Sequence, residues 1–155
     1  MQSKRRIKNE YWAYDITSIS NYSECLKQIR HGVNKEHEPL LQLNLALLFG
    51  EESGFPFCYR KLPGNISDVK TVRKLLADFA RFGFGKVKLV MDRGLHSAEN
   101  IDRLCQEYMK FLIGAKLSLK FVQSALDNER ENLKSWERYD KQYDLYACTK
   151  PVECN

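Results

Sequence analysis

Three apolar segments precede a regular alternation of helical and strand patterns, and this order limits the chain to few folds. Tyr11–Ile16 is aromatic-rich and nearly continuous in apolar character, as in a buried central strand. Leu40–Phe49 and Phe55–Arg60 follow as strands, and the glycine-flanked loop between them predicts an antiparallel hairpin. Between the first two strands, Asn21–Glu38 predicts an irregular connection with one short helical turn around Ser23–Ile29.

The second half of the chain alternates between helices and strands. Capping residues, apolar spacing and glycine breaks mark each element. The predicted elements are a helix after Ser67, a strand over Lys86–Met91, a helix after Ser97, a strand over Phe111–Ala115 and a helix over Ser118–Leu133. The sequence therefore predicts an α/β protein with a mixed sheet and the order β-β-β-α-β-α-β-α.

That order brings two aspartates together. Crossover connections between parallel strands are right-handed and consecutive elements tend to be neighbours, so the strand ending at Met91 should lie parallel to the first strand. Asp15 lies on the first strand and Asp92 directly follows the other. We expect the two carboxylates to meet where ligands bind in open sheets.

Two neighbouring carboxylates indicate a site for a divalent cation. A charged aspartate in an apolar strand loses several kcal/mol of solvation unless it is paired or binds a cation. Mg²⁺ and Mn²⁺ prefer oxygen ligands, and two such ions can catalyse phosphodiester chemistry. In the structural alternative, Asp15 accepts hydrogen bonds from Thr17 or Ser18, and Asp92 caps the following turn or pairs with Arg93.

The composition fits one folded domain and permits a nucleic-acid partner. The chain has 155 residues, 43% hydrophobic and 29% charged, so it can bury an ordinary core. Its net charge of +5 is compatible with DNA binding, and the basic run Lys4–Lys8 is interpreted as a solvated tail. Five cysteines without a C-x-x-C pair indicate reduced thiols. The patterns of a signal peptide and of a membrane span are absent, so we predict a cytoplasmic protein.

Several short motifs resemble the DDE transposases of bacterial insertion sequences, the group with a Tyr/Arg/Glu/Lys signature helix. The matching segments are Asp15-Ile16-Thr17-Ser18, Gly32-Val33-Asn34-Lys35, Gln42-Leu43-Asn44-Leu45-Ala46, Leu62-Pro63-Gly64-Asn65-Ile66-Ser67-Asp68 and Val90-Met91-Asp92-Arg93-Gly94. Each segment alone is weak, but their order is specific and extends over residues 11 to 148. The resemblance identifies the chain as a partial catalytic domain of that family.

The resemblance implies an RNase H-like fold and DNA transposition chemistry. Such enzymes use two metal ions, Mg²⁺ or Mn²⁺, to hydrolyse transposon ends and to join the 3′-hydroxyls to target DNA. Asp15 matches the first acid and Asp92 the second, so both are expected to be catalytic and to bind metal. The expected partner is double-stranded DNA, as transposon ends and as target, and a homodimer is the expectation for the complete enzyme.

Other positions match the family without a known chemical role. Lys35, Asn65 and Asp68 fall on recurring motif positions, and we expect structural roles for them. Arg93 either contacts phosphate or forms an ion pair that supports Asp92.

The third acid of the family is not found. It is a glutamate in a Tyr-x-x-Arg-x-x-x-Glu-x-x-x-x-x-x-Lys motif, and no arginine of this chain has a tyrosine three residues before it. Asp127, Glu129 and Glu131 lie on the third predicted helix, but their spacing does not match, and we interpret them as surface charge. The expected organisation is a basic tail (1–10), a partial catalytic domain (11–148) that is incomplete at its carboxyl end, and a short tail (149–155).

Three other functions fit parts of this pattern. A free-standing RNase H-like nuclease needs only the shared fold. A catalytically inactive fragment that binds DNA or forms oligomers is favoured by the missing glutamate. A phosphoacceptor receiver domain would also place an aspartate at a strand end, but the predicted hairpin after the first strand argues against it.

Overall fold

The computed structural model describes residues 11–20, 30–33, 39–84 and 87–151. The chain divides into two compact units, which we call the sheet unit (Met1–Gly114) and the C-terminal unit (Ala115–Asn155).

Six strands form the mixed sheet of the sheet unit. They are β1 (Tyr11–Ser20), β2 (Arg30–Val33), β3 (Pro39–Gly50), β4 (Pro56–Pro63), β5 (Lys88–Met91) and β6 (Lys110–Ile113). The sheet order is β2-β3-β1-β5-β6, and β4 pairs with β3. β1 is antiparallel to β3 and parallel to β5, so the predicted central position of the Asp15 strand is confirmed. The predicted antiparallel pairing of β3 with β4 is also confirmed.

The connection between β1 and β3 contains a strand that the sequence did not predict. β2 pairs with the first residues of β3, and β4 pairs with β3 only from Leu43 onward. β2 thus supplies backbone partners to Pro39–Gln42 at the edge of β3 that β4 does not cover. The prediction of an irregular connection is therefore wrong for Arg30–Val33, while the helical turn predicted at Ser23–Ile29 lies outside the described residues.

Two helices pack on one face of the sheet, α1 (Thr71–Phe82) and α2 (Ala98–Gln106). Ser97 caps α2 as predicted, because its Oγ accepts a hydrogen bond from the Asn100 N–H at 3.1 Å. The predicted Ser67 cap is wrong for α1: a short 3₁₀ turn intervenes, and the helix begins after Lys70 without a side-chain cap. α1 ends at Gly83, whose φ of +67° suits a glycine.

The core lies between the sheet and these helices. Side chains alternate along each strand, so every second residue of β1, β3 and β5 faces the helices. The buried hydrophobic residues are Trp12, Tyr14, Ala46, Leu48, Leu62, Val72, Leu75, Phe79, Val87, Leu89, Met91, Leu95 and Leu104. Burying each of the larger side chains stabilises the fold by roughly 1.5–3 kcal/mol. The opposite face of β1 and β5 therefore lies outside this core.

The C-terminal unit contains α3 (Lys120–Glu129) and a hairpin of β7 (Tyr139–Asp140) and β8 (Leu145–Tyr146). The predicted third helix is confirmed, although it is shorter than Ser118–Leu133. The hairpin was not predicted, because strands of two residues are too short to show a period of two. In the part of the chain that the structure describes, no helix is long and apolar enough to span a bilayer.

Candidate active site

Asp15 and Asp92 each follow a residue of the last register pair between β1 and β5. β1 and β5 run parallel, and their last register pair joins Tyr14 to Met91. Asp15 follows Tyr14, and Asp92 follows Met91 with its backbone still extended at φ −71° and ψ 160°. Neighbouring strands lie about 4.8 Å apart. The predicted neighbourhood of the two acids therefore follows from the pairing of their strands.

Both carboxylates project from the face of the sheet that lies opposite the core. Tyr14 is 6% exposed and Met91 is 4% exposed, so both side chains point toward the helices. Successive side chains of an extended backbone point to opposite faces. Asp15 and Asp92 therefore share the other face of the sheet and can approach one ligand from the same side.

The burial expected for Asp15 is wrong. Both aspartates are exposed, although the residues on either side of Asp15 are buried or half-buried. An exposed carboxylate keeps its hydration, so no loss of solvation has to be offset at this position. The continuous apolar character of β1 concealed the alternation, because the aromatic residues face the helices and only Asp15 carries charge on the other side.

The predicted structural partners of these carboxylates are engaged elsewhere or do not bond to them. Ser18 Oγ donates to Asn44 Oδ1 at 2.9 Å. The side chain of Asp92 caps no backbone N–H of the following turn. Among the ion pairs of the described residues, none joins Asp92 to Arg93, which is exposed. Both carboxylates thus remain available to a ligand.

The two acids fit a hard divalent cation in their chemistry. Carboxylate oxygens on one open face are the ligands that Mg²⁺ and Mn²⁺ prefer, and water can complete the coordination shell. In the described segments, no group of three or more His, Cys, Asp and Glu side chains is placed to hold a metal. The site therefore offers two protein ligands, which predicts weak binding.

The acids of α3 take part in other interactions. Glu129 forms an ion pair with Arg138 at 2.7 Å and accepts a hydrogen bond from Lys150 at 3.2 Å. The interaction with Arg138, followed by that with Lys150, lowers the pKa of Glu129 below its ordinary value. Asp127 pairs with Arg130 one turn away. These contacts pair both carboxylates with cationic side chains of the C-terminal unit.

Two of the three recurring motif positions lie in the segment after β4. Asn65 is exposed in the turn after β4, Asp68 begins a 3₁₀ turn, and Lys35 lies outside the described residues. Position 64 requires a glycine, because a Cβ there would lie 2.2 Å from the backbone oxygen of Gln42. The sequence reasoning gave no role to the buried amides of Asn44 and Asn100, although Asn44 lies in one of the segments that match the family.

A groove of about 780 Å³ begins next to the two acids. Its lining includes Tyr11, Lys88 and Lys110, the first residues of β1, β5 and β6. It also includes Ala13 and Val90, which precede Asp15 and Asp92 by two residues on the same strands.

One family model and several solved structures resemble this chain. The family model "Transposase DDE domain" matches residues 13–148, and no curated protein gives a significant match. A piggyBac transposase synaptic complex with hairpin DNA has a TM-score of 0.54 and 13% identity over 79% of this chain and 26% of that chain. The Mos1 mariner transposase catalytic domain has a TM-score of 0.43 and 12% identity over 91% of this chain and 71% of that chain.

The structural likeness and the family match carry different conclusions. At 13% identity, the piggyBac likeness supports the fold alone, and the predicted RNase H-like mixed sheet is confirmed. The chain spans about a quarter of the length of that transposase. The family model matches most of the chain, independently of any single structure. The protein therefore belongs to the DDE transposase family.

Proposed function

We propose that this protein performs DNA transposition chemistry and that Asp15 and Asp92 are two of its catalytic, metal-binding acids. The observation that carries the proposal is their position: one register step beyond the last pair of two neighbouring parallel strands, on the same exposed face. The family membership supports the same chemistry.

Asp15 would contribute a carboxylate ligand from within β1, and Asp92 would contribute one from the residue that directly follows β5. Bound Mg²⁺ or Mn²⁺ ions would activate a nucleophilic water or 3′-hydroxyl and stabilise the leaving oxygen. Among the ion pairs of the described residues, none involves Asp15 or Asp92, and a bound cation would offset the repulsion between these carboxylates and a DNA phosphate. The rigid register of β1 and β5 fixes the separation of their backbones, which is what a shared ligand site requires.

Duplex DNA is the proposed partner, as transposon ends and as target. Arg93 is exposed directly beside Asp92, where a guanidinium can contact a phosphate oxygen. The net charge of +5 supports salt-dependent contacts with the backbone of DNA. From the resemblance we further propose that the complete enzyme acts as a homodimer. The cytoplasmic location stays a prediction.

A second function is favoured by one observation. No group of three metal-ligating side chains occurs among the described residues, so the chain fits a DNA-binding fragment without catalytic activity. The two functions differ in whether the metal and the two aspartates contribute to DNA binding.

Metal-dependent DNA binding distinguishes the two functions. Labelled duplexes that carry transposon ends, and unrelated duplexes, are titrated with protein in the presence and absence of Mn²⁺. The proposed function predicts that Mn²⁺ strengthens binding and that Asp15→Asn and Asp92→Asn remove this gain. Asp102→Asn is the matched control, because Asp102 is an exposed carboxylate on α2.

Each outcome of this titration has a distinct meaning. Binding that is equally strong with and without Mn²⁺, and in all variants, contradicts the proposal and favours the inactive fragment. Strand cleavage without strand joining, if lost in Asp92→Asn, would instead favour a free-standing nuclease.

A further inference from the structure

A buried amide side chain bonds to the turn that follows Asp92. Asn100 lies in the first turn of α2 and is 3% exposed. Its Nδ2 donates to the backbone oxygen of Leu95 at 2.8 Å and to that of Val69 at 2.9 Å. Both N–H groups of the amide are thus used, on two separate segments of the backbone.

The first of these bonds reaches the backbone of Asp92. The Leu95 N–H donates to the Asp92 oxygen at 3.1 Å, which closes a tight turn. The Leu95 side chain is 2% exposed, so the end of this turn is anchored in the core. Asn100 therefore bonds to Leu95, and Leu95 in turn bonds to the backbone of Asp92.

The second bond leads toward the strand of Asp15. Val69 belongs to the segment after β4, and this segment is tied to β3 because Asn44 Nδ2 donates to the Ile66 oxygen at 3.1 Å. Ser18 of β1 donates to the same asparagine at 2.9 Å. Side-chain hydrogen bonds thus connect the Asp92 turn to β1 through Val69, Ile66 and Asn44, in addition to the backbone pairing of the strands.

The turn is confined from a second side by the end of β6. The Gly114 N–H donates to the Met91 oxygen at 3.1 Å. A Cβ at Gly114 would lie 2.9 Å from the backbone nitrogen of Arg93. The turn consequently has little room to shift between α2 and β6.

We propose that Asn100 is a positioning residue that fixes the Asp92 carboxylate relative to Asp15. This inference rests on the proposed function for its catalytic meaning. Residues that orient metal ligands typically change metal affinity by about 10–100-fold when they are removed. The amide acts through the backbone, so it needs no contact with the metal or with DNA.

The experiment compares Asn100→Ala with a matched variant, Gln42→Ala. Gln42 is also a buried amide, 2% exposed, and its Nε2 donates to the Gly64 oxygen at 3.0 Å, away from the Asp92 turn. Urea denaturation identifies conditions in which all proteins are folded. Under those conditions, Mn²⁺ affinity is measured by calorimetry, and exchange of the Leu95 amide proton is measured by NMR.

We expect Asn100→Ala to lower Mn²⁺ affinity by about tenfold or more and to speed exchange of the Leu95 amide. Gln42→Ala should leave both close to the wild-type values. Unchanged Leu95 exchange in Asn100→Ala would overturn the inference, and so would faster exchange with unchanged Mn²⁺ affinity.

The two measurements also separate this inference from the proposed function. If the wild-type protein binds no Mn²⁺, the proposed function fails. The positioning role as stated, toward a metal-binding Asp92, then fails with it, and the amide exchange still shows whether Asn100 fixes the turn. If the wild type binds Mn²⁺ through Asp15 and Asp92 and Asn100→Ala binds equally well, only the positioning role fails.

Discussion

The sheet unit and the C-terminal unit depend on different interactions. The sheet unit buries large apolar side chains such as Trp12, Leu48 and Leu104, each 0% exposed. In the described part of the C-terminal unit, no side chain is buried, and Glu129 with its two cationic partners is its densest contact. Apolar burial is nearly independent of pH and salt, whereas exposed ion pairs depend on both. The metal site is proposed on the unit with the more robust stabilisation.

The largest expected difference between the units comes from removing one leucine side chain from each. Leu48→Ala should lower the free energy of unfolding of the sheet unit by about 2–5 kcal/mol, because it leaves a cavity in a packed core. Leu126→Ala should cost less than about 1 kcal/mol, since that side chain is already 37% exposed. Urea denaturation measures both values. Equal losses would contradict the contrast in packing.

A pair of glycines tests the close packing of the sheet unit. Gly64→Ala should cost about 1–3 kcal/mol or more, because the added Cβ would collide with the backbone of Gln42. Gly54→Ala is the control: its Cβ meets open space, and only its φ of +62° opposes the substitution, at about 1 kcal/mol. Thermal denaturation of both variants shows which substitution lowers the stability more. A larger loss at Gly54 would show that the turn after β4 can shift away from β3.

The C-terminal unit should lose stability in acid. The interaction with Arg138, and then that with Lys150, lowers the pKa of Glu129 in the folded state. This contribution is present above the pKa of the unfolded chain and is lost as the pH falls through the folded value. Amide exchange of α3 between pH 7 and pH 3 measures it. Glu129→Gln should reduce the pH dependence, and an unchanged profile would exclude this carboxylate as its source.

The smallest effect is expected in thiol reactivity within the sheet unit. Burial, with a smaller contribution from Asp78, raises the pKa of the Cys58 thiol. Because the thiolate is the reactive form, Cys58 should be alkylated more slowly than the exposed Cys105 at pH 8. Mass spectrometry of the native protein after brief alkylation compares the two sites. Faster modification of Cys58 would mean that β4 opens more readily than its pairing with β3 implies.

The sequence predicted those features that follow from local patterns and general topology. The pairing of β1 with β5 required only the element order and the handedness of crossovers, so Asp15 and Asp92 were placed together correctly on neighbouring strands. Ser97 was recognised as a helix boundary, because capping depends on residues next to the helix end.

Features that depend on distant contacts were not predictable in this way. β2 exists because β3 extends beyond β4 and offers a free edge, which no local pattern reveals. The side chain of Asn100 donates a hydrogen bond to Val69, which is 31 residues away. The exposure of Asp15 was missed because the aromatic residues of β1 concealed which face each side chain occupies.

The most direct test of the proposed metal site is calorimetric titration of the folded protein with Mn²⁺. The wild type and Asp102→Asn should show the same weak binding, since Asp102 is an exposed carboxylate outside the proposed site. Asp15→Asn and Asp92→Asn should each lower the affinity, and the double variant should lower it no less than either single variant. Equal Mn²⁺ binding by the wild type and the double variant would contradict the assignment of Asp15 and Asp92 as metal ligands.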